Sequence, residues 1–443
     1  MLIRFKVGNY LSFNETQELS MVSGETKNHQ DHIHRFDEMD VLRASAIYGA
    51  NASGKSNLIK AFKESRKMIV YDKPIHSNRY FRPSSSKKEQ PSYFEYEFEN
   101  EGQYFSYGFE FLLSKQKIES EWLYGLSPNE ESKVFFQRAG NKIEHFFEGD
   151  EKNRMDVYVK DMENSDNTLF LYEMGRKMGA KEDGLSALSE VFKWFLQKVV
   201  VLGAKDPLYR NTYTEEKERH LVKLLEGLGT GITDVRYEEV DIKKTGRKYP
   251  LDDIRDELIK LKKKGSGVPV RVPSLPGEFF TLSEKDELVL YKQMFRHGAP
   301  DVSYEMGEES DGTQRLYYLL DMIVNEKSDN VYIWDELDSS LHPQLTFRFV
   351  KLFLEKKAGT KSQLIFTSHE SNLIDFSLLR RDEIWFVEKD EHGSSILYSL
   401  EDFNERTDRK IDKAYLEGRY GGVPIFSTLF PVSGGDVDEV PKK

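Results

Sequence analysis

The spacing of hydrophobic positions changes several times along this chain, and each change predicts a different element. Leu2, Ile3, Phe5 and Val7 alternate with polar residues in "MLIRFKVGNYLSF", as a strand does. "ASAIYG" at 44–49 is a run of small and apolar residues that ends in glycine, the pattern of a buried strand. Leu58, Ile59, Phe62, Met68 and Ile69 then recur at helical spacing between 54 and about 71, so the local order is strand, glycine turn, helix. Residues 78–91 read as a polar loop. From 92 to 147 aromatic and polar residues alternate through several turns, as in "YFEYEFENEGQYFSYGFEFLL", which predicts an antiparallel sheet.

Between 183 and 264 the pattern turns largely helical, in "LSALSEVFKWFLQKVVVLG", "YTEEKERHLVKLLEGLG" and "PLDDIRDELIKLKKKG", with one strand-like interval near 234–242. Strand-like pieces follow near 279–296. Helix (312–326), strand (331–334), helix (344–356) and strand (363–367) then alternate, the signature of βαβ units on a parallel sheet. No heptad run of coiled-coil length and no internal repeat is visible. The tail "SGGDVDEVPKK" reads as disordered.

Composition narrows the class. A chain of 443 residues predicts two domains, or one with a large insertion, and 38% hydrophobic with 32% charged residues is a globular balance. The formal charge of −12 leaves any nucleic-acid role to a local patch. With no cysteine, disulfides, thiolate zinc sites and a cysteine nucleophile are excluded. The N-terminal strand carries Arg4 and Lys6, unlike a signal peptide, and no run of about 18 apolar residues occurs. The expectation is a cytoplasmic protein without membrane contact.

Candidate chemistry gathers at strand ends. "GANASGKS", Gly49 to Ser56, satisfies G-x-x-x-x-G-K-[ST] between a strand and a helix, where backbone N–H groups wrap phosphates. Lys55 is placed to reach β/γ oxygens and Ser56 to ligate magnesium. In "VYIWDELDSSLHP", Asp335 ends a buried strand where it can hold that magnesium through water, and Glu336 can polarise the attacking water. "QLIFTSH" is another buried strand, ending in Thr367, Ser368 and His369, and its tip is expected near the γ-phosphate. "SDGTQR" at 310–315 opens a helix. Ser310 or Asp311 can cap it with Gln314 reaching back, or the same residues can meet a nucleotide.

Together "GANASGKSNL", the hexapeptide, Asp335-Glu336 with "LDSSLHP", and "TSH" resemble an ATPase of the ATP-binding-cassette (ABC) type in the RecF, SMC and OLD group, over about 1–70 and 305–400. "NYLSF", "SDGTQR", "RRDEIWFVEK" and "YLEGRYGGVP" further resemble the small AAA-type ABC ATPases of prokaryotic defence loci, such as AbiL and the AriA ATPase subunit of PARIS. The resemblance implies an α/β fold: an ABC-ATPase head, with a P-loop mixed sheet and an antiparallel β subdomain, carrying an inserted, mostly helical lobe. Its parts would be 1–147 and 276–432 for the head, 148–275 for the lobe and 433–443 for the tail. ATP and Mg2+ are the implied cofactors. Gly49, Asn51, Ala52, Ser53, Gly54, Lys55, Ser56 and Asn57 would bind the triphosphate, with Ser56 and Asp335 on the metal. Glu336 and His369 would be catalytic, and Leu337 to His342 would form the D-loop that senses a partner subunit. Ser310, Gly312 and Gln314 would close on another subunit's nucleotide in a homodimer or higher homo-oligomer. Transporter cassettes have leucine and paired glycines where this chain has Glu309, Ser310, Asp311 and Gly312. Asp311 is therefore expected to turn from phosphate, towards Arg315. The Q-loop glutamine has no clear place among Gln103, Gln116 and Gln137.

A separately encoded effector, a nuclease or toxin, is the implied partner, because little chain follows the last core strand. The competing expectation is a RecF-like ATPase that loads on DNA in genome maintenance. A non-hydrolysing scaffold is disfavoured by Glu336 and His369. Three weaker constellations remain. His29, His32 and His34 are metal-ligand types but read as a solvated loop; Glu388 with Asp436 and Asp438 faintly resembles a TOPRIM acidic set. A basic patch at 243–264, with Lys243, Lys244, Arg247, Lys248 and "KLKKKG", reads first as a solvated helix end and otherwise as a nucleic-acid contact.

Overall fold

The computed structural model describes residues 1–127, 131–162, 165–178, 186–206, 215–263, 272–273, 275, 277–298, 302–324, 329–403 and 415. Its centre is a six-stranded sheet in the order Val199–Leu202, Val331–Trp334, Gln363–Thr367, Ala44–Tyr48, Ile384–Lys389, Ser395–Ser399. All neighbours in it are parallel except the last pair. The apolar runs of these strands follow from burial on both faces. Val331, Ile333, Ile365 and Ile47 point into one core, while Tyr332, Trp334, Leu364, Phe366 and Tyr48 point into the other.

Helix Lys55–Tyr71 fills the first core. It packs Leu58 and Phe62 between this sheet and a seven-stranded antiparallel sheet that starts at Lys142–His145 and ends with Leu2–Gly8 and Gln17–Ser20. Phe62 stacks on Phe5 with ring centroids 3.7 Å apart, and Ser65 Oγ lies 2.6 Å from the Tyr96 hydroxyl. Helices Asp311–Val324 and Pro343–Lys356 cover the opposite face with Leu316, Leu320, Phe349 and Phe353. The α/β class expected from the sequence is the class found, and the expected strands at 331–334 and 363–367 have those bounds.

One helical expectation is corrected. In "FKWFLQKVVVLG" the helix stops after a turn at Trp194–Lys198, and Val199–Leu202 is the edge strand of the parallel sheet. Consecutive β-branched valines suit a strand, and pairing with Val331–Trp334 overrides the helical reading of the preceding residues. A separate five-stranded sheet joins Asp234–Val240, Leu288–Arg296, Glu278–Leu282, Val272–Pro273 and Tyr304–Glu305. Strands from both sides of the expected 275/276 division thus share one sheet. The expected tail, with most of "YLEGRYGGVP", lies outside the described residues.

Buried Glu121 joins helix Phe170–Met178 to the antiparallel sheet. Its carboxylate accepts from the backbone N–H groups of Phe170 (2.7 Å) and Leu171 (3.0 Å) and from the Tyr107 hydroxyl (3.0 Å), beside Arg138. This is an anion at a helix N-terminus, and removing it leaves buried donors without their acceptor and the Arg138 guanidinium, bonded otherwise to the Gly140, Thr168 and Ser165 carbonyls, without its counter-ion. Glu121→Ala is expected to lose about 3 kcal/mol of stability in urea unfolding; a loss below about 1 kcal/mol would show that the helix is held by its apolar face alone.

Candidate nucleotide site

The phosphate loop runs from the end of Ala44–Tyr48 into helix Lys55–Tyr71. Gly54 has φ of +126°, and a Cβ there would lie 2.2 Å from Ser395 Oγ and 3.0 Å from Ser12 Oγ. Glycine is required by backbone and by space. Ser12 and Ser395 support the loop from below: their hydroxyls are 2.7 Å apart, Ser395 Oγ is 2.5 Å from the Ser53 carbonyl, and Asn57 Nδ2 donates to Ser12 Oγ at 2.8 Å. Asn57, expected on nucleotide, therefore turns its amide inward. Asn51 and Ala52 are exposed at the tip, while Gly54 and Lys55 are buried.

Lys55 Nζ donates to the carbonyls of Gly49 at 2.6 Å and Ala50 at 3.1 Å. Burial lowers its pKa from the ordinary 10.5 to about 8, against the opposing pull of Asp335, Glu336 and Asp338. The amine is held by neutral acceptors, which phosphate oxygens can replace.

Asp335 and Glu336 arrive at the same edge. Asp335 Oδ1 receives Ser56 Oγ at 3.2 Å and Thr367 Oγ1 at 2.7 Å. Thr367 Oγ1 accepts the Glu336 N–H at 2.7 Å, and the Thr367 carbonyl accepts the Leu337 N–H at 3.0 Å. Glu336 itself has φ of 52°, a left-handed turn directly after the strand. A serine hydroxyl beside a carboxylate is an all-oxygen donor set, which fits a hard divalent ion such as magnesium. His369 leaves the adjacent strand with its N–H on Asp338 Oδ2 at 3.1 Å and its side chain exposed. Thr367 is the residue whose part the sequence reading missed. A strand-terminal Thr beside a strand-terminal Asp was the available signal.

The hexapeptide is a helix cap. Ser310 Oγ accepts the Thr313 N–H at 3.1 Å, and Gln314 Nε2 reaches back to the Glu309 carbonyl at 2.8 Å. Ser310 and Asp311 are exposed. Gly312 packs on the D-loop of its own chain, where a Cβ would stand 2.5 Å from the Ser340 carbonyl oxygen. The expected Asp311–Arg315 contact is not made. Arg315 instead donates Nη2 to the Glu336 carbonyl and lies over the Trp334 ring, 5.4 Å from its centroid.

The remaining candidates sort differently. His32 is buried with Nδ1 3.1 Å from both Glu383 oxygens, and His29 Nε2 meets the Phe376 carbonyl at 2.7 Å, so this is no solvated loop. Ligand atoms of His29, Asp31 and His32 lie within 4.8 Å of one another, but the imidazoles stack at 21°, so their in-plane lone pairs do not converge. His34 is outside that group. Gln116 bonds the Ile75 and Leu113 carbonyls, Gln137 the Tyr124 hydroxyl, and Gln103 is exposed at a strand end. In the basic patch Arg247 pairs with Glu278 at 3.0 Å and Lys262 with Asp286 at 2.5 Å. Lys264 lies outside the described residues, as do Asp436 and Asp438, while Glu388 accepts from the Tyr398 hydroxyl.

A phosphate loop, an Asp-Glu strand end and a neighbouring Thr-Ser-His strand end on one parallel sheet define a P-loop nucleotide-binding domain with the ABC arrangement of motifs. The chain belongs to the family described as "AAA domain, putative AbiEii toxin, Type IV TA system", whose model matches residues 44–157 and 236–375, more than half of its length. No curated protein matches its sequence. Among solved structures it is similar to an SMC head domain from Thermotoga maritima, at 15% identity and a TM-score of 0.35, over 90% of this chain and 98% of that one. It is also similar to an Smc head bound to the C-winged helix domain of ScpA, at 14% identity and 0.44, over 90% and 97%. A third is the Smc head with an extended coiled coil bound to the C-terminal domain of ScpA derived from Pyrococcus furiosus, at 13% identity and 0.40, over 95% and 98%. Among the described residues no helix is long and apolar enough to cross a membrane.

The bonding of Lys55 predicts proton uptake. Held by the Gly49 and Ala50 carbonyls its pKa is lowered to about 8, and an incoming triphosphate raises it. Binding above about pH 8 therefore takes up a proton, and Kd is expected to rise by up to about tenfold per pH unit from there. Calorimetry near pH 9 in buffers of different ionisation heat measures this; no uptake, or equal uptake in Lys55→Ala, contradicts it. Thr367→Val, which removes the hydroxyl that orients Asp335 and Glu336, is expected to slow hydrolysis about 10- to 100-fold with ATP affinity changed only a few-fold. An unchanged rate would mean that Asp335 orients itself.

Proposed function

We propose that this chain is an ATP-hydrolysing ABC-type switch that dimerises on nucleotide and controls a separately encoded effector in anti-phage defence, by abortive infection. The convergence of Ser56 and Thr367 on Asp335 Oδ1, with Glu336 hung from the same Thr367, carries the reading. Lys55 and the loop N–H groups bind the triphosphate; Ser56 and Asp335 hold magnesium, which supplies positive charge to the phosphates. Glu336 positions water in line, and His369 contacts the γ-phosphate. A second subunit's Ser310, Gly312 and Gln314 complete the site, and the exposure of Ser310 supports that role. The defence setting is supported by the family's toxin–antitoxin description and by the resemblance of these motifs to those of the AbiL-like and PARIS ATPases.

The test compares ATP hydrolysis by the wild type with Lys55→Ala and Glu336→Gln; both are expected to fall by at least about 100-fold, and equal rates would sink the reading. Ser310→Arg should abolish hydrolysis while ATP binding by the monomer persists, and an unaffected rate refutes the contribution across the dimer. Affinity capture with Glu336→Gln from the native host should retain an effector. Strong, salt-dependent DNA binding by the isolated protein would favour the RecF-like reading instead.

A further inference from the structure

Arg315 and Asp338 each hold a buried polar atom without a partner. Arg315 uses Nη2 on the Glu336 carbonyl, but its Nε is buried and unbonded. Asp338 uses Oδ2 on the His369 N–H at 3.1 Å, but its Oδ1 is buried and unbonded. Burial lowers the Arg315 pKa, and of the carboxylates that oppose this Asp338 acts most strongly, ahead of Glu336 and Asp335. A charged donor and a charged acceptor on adjoining elements thus each keep one buried polar atom whose desolvation no hydrogen bond offsets. Native structures leave few such atoms unpaired, and each needs a physical account.

The elements that carry them are the ones the proposed dimer would load. Arg315 sits one turn into helix Asp311–Val324, behind Ser310 and Gly312, and Asp338 belongs to the loop that Gly312 touches through Ser340. Resting on the nucleotide reading above, we infer that Arg315 and Asp338 close into an ion pair when the hexapeptide engages nucleotide. That closure draws Arg315 away from the Glu336 carbonyl, so Arg315 is a positioning residue. While bonded to that carbonyl it holds the left-handed turn at Glu336; paired with Asp338 it frees the turn to bring the Glu336 carboxylate to water. Asp338 in turn links the event to the His369 strand tip through its other oxygen.

A double-mutant cycle tests this in the full chain: Arg315→Gln, Asp338→Asn and both together, in a Glu336→Gln background that retains ATP. Melting temperatures are taken with and without Mg-ATP. The near-isosteric replacements keep the fold, and the nucleotide-free melts verify it. Without nucleotide the two effects are expected to add; with Mg-ATP each single variant should lose most of the ATP-dependent shift and the double variant no more than either. With Glu336 restored, each single change should lower kcat about tenfold at nearly constant KM, again without further loss in the double. Additive effects with ATP, or coupling already present without it, overturn the pair while leaving the ATPase reading intact. No ATP-dependent shift in the Glu336→Gln parent overturns that reading and the pair with it.

Discussion

The site depends on one carboxylate oxygen. A parallel sheet buried on both faces offers polar groups only at its ends, and at the carboxyl end of this one Asp335 Oδ1 collects hydroxyls from two other strand–loop units, Ser56 and Thr367. Thr367 then fixes the Glu336 N–H, so the residues proposed to hold metal and to position water share one anchor. The cations follow a different rule: Lys55 rests on the Gly49 and Ala50 carbonyls and Arg315 on the Glu336 carbonyl, none on a carboxylate. A cation held by neutral acceptors can be handed to a phosphate without breaking an ion pair, so the arrangement is ready for an anion.

The antiparallel sheet contributes to this readiness although it stands away from the strand ends. It buttresses helix Lys55–Tyr71 through Phe5, Phe62 and Tyr96 and sends the turn at Asn9–Phe13 beneath the phosphate loop. There the Asn9 amide holds the carbonyls of Lys87 and Gln90, Tyr10 bonds Glu64 at 2.8 Å, and Ser12 meets Asn57 and Ser395. Loop, helix and subdomain are therefore packed as one unit, whereas Gly312 of the hexapeptide helix meets the D-loop at the Ser340 carbonyl.

What was legible in the sequence was local. Asp335, Glu336 and His369 each sit at or just past the end of an apolar run, and Lys55 follows one through the glycine loop, so burial of the run fixes where they emerge. What was illegible depended on distant partners. Ser12 and Ser395 are 383 residues apart, and His32 gave no sign of Glu383, 351 residues away, which turns a histidine-rich loop into a buried pair. Arg315 was misread for a related reason. Helical spacing puts Asp311 one turn away, but an exposed ion pair is worth little, and the Trp334 face and the Glu336 carbonyl won the guanidinium. Val199–Leu202 was hidden because an edge strand of this length has no period of its own and its identity comes from Val331–Trp334.

The hexapeptide changes meaning most. Its single glycine looked like the remnant of a phosphate contact, since glycine admits close backbone approach. In the fold that approach is spent within the subunit, on the Ser340 carbonyl, where any side chain would collide. Gly312 is thus required whether or not a nucleotide ever reaches it, and its presence cannot by itself argue for a contact across a dimer. The weight shifts to Ser310, whose hydroxyl caps the helix yet stays exposed, and to the cap itself, because a helix N-terminus already tied down by Ser310 and Gln314 presents its remaining N–H groups outward. Asp311, exposed beside it and left unpaired by Arg315, works against a phosphate there. The proposed engagement would therefore have to reorient the first turn, and a reorientation that begins at Asp311 would reach Arg315 one turn later.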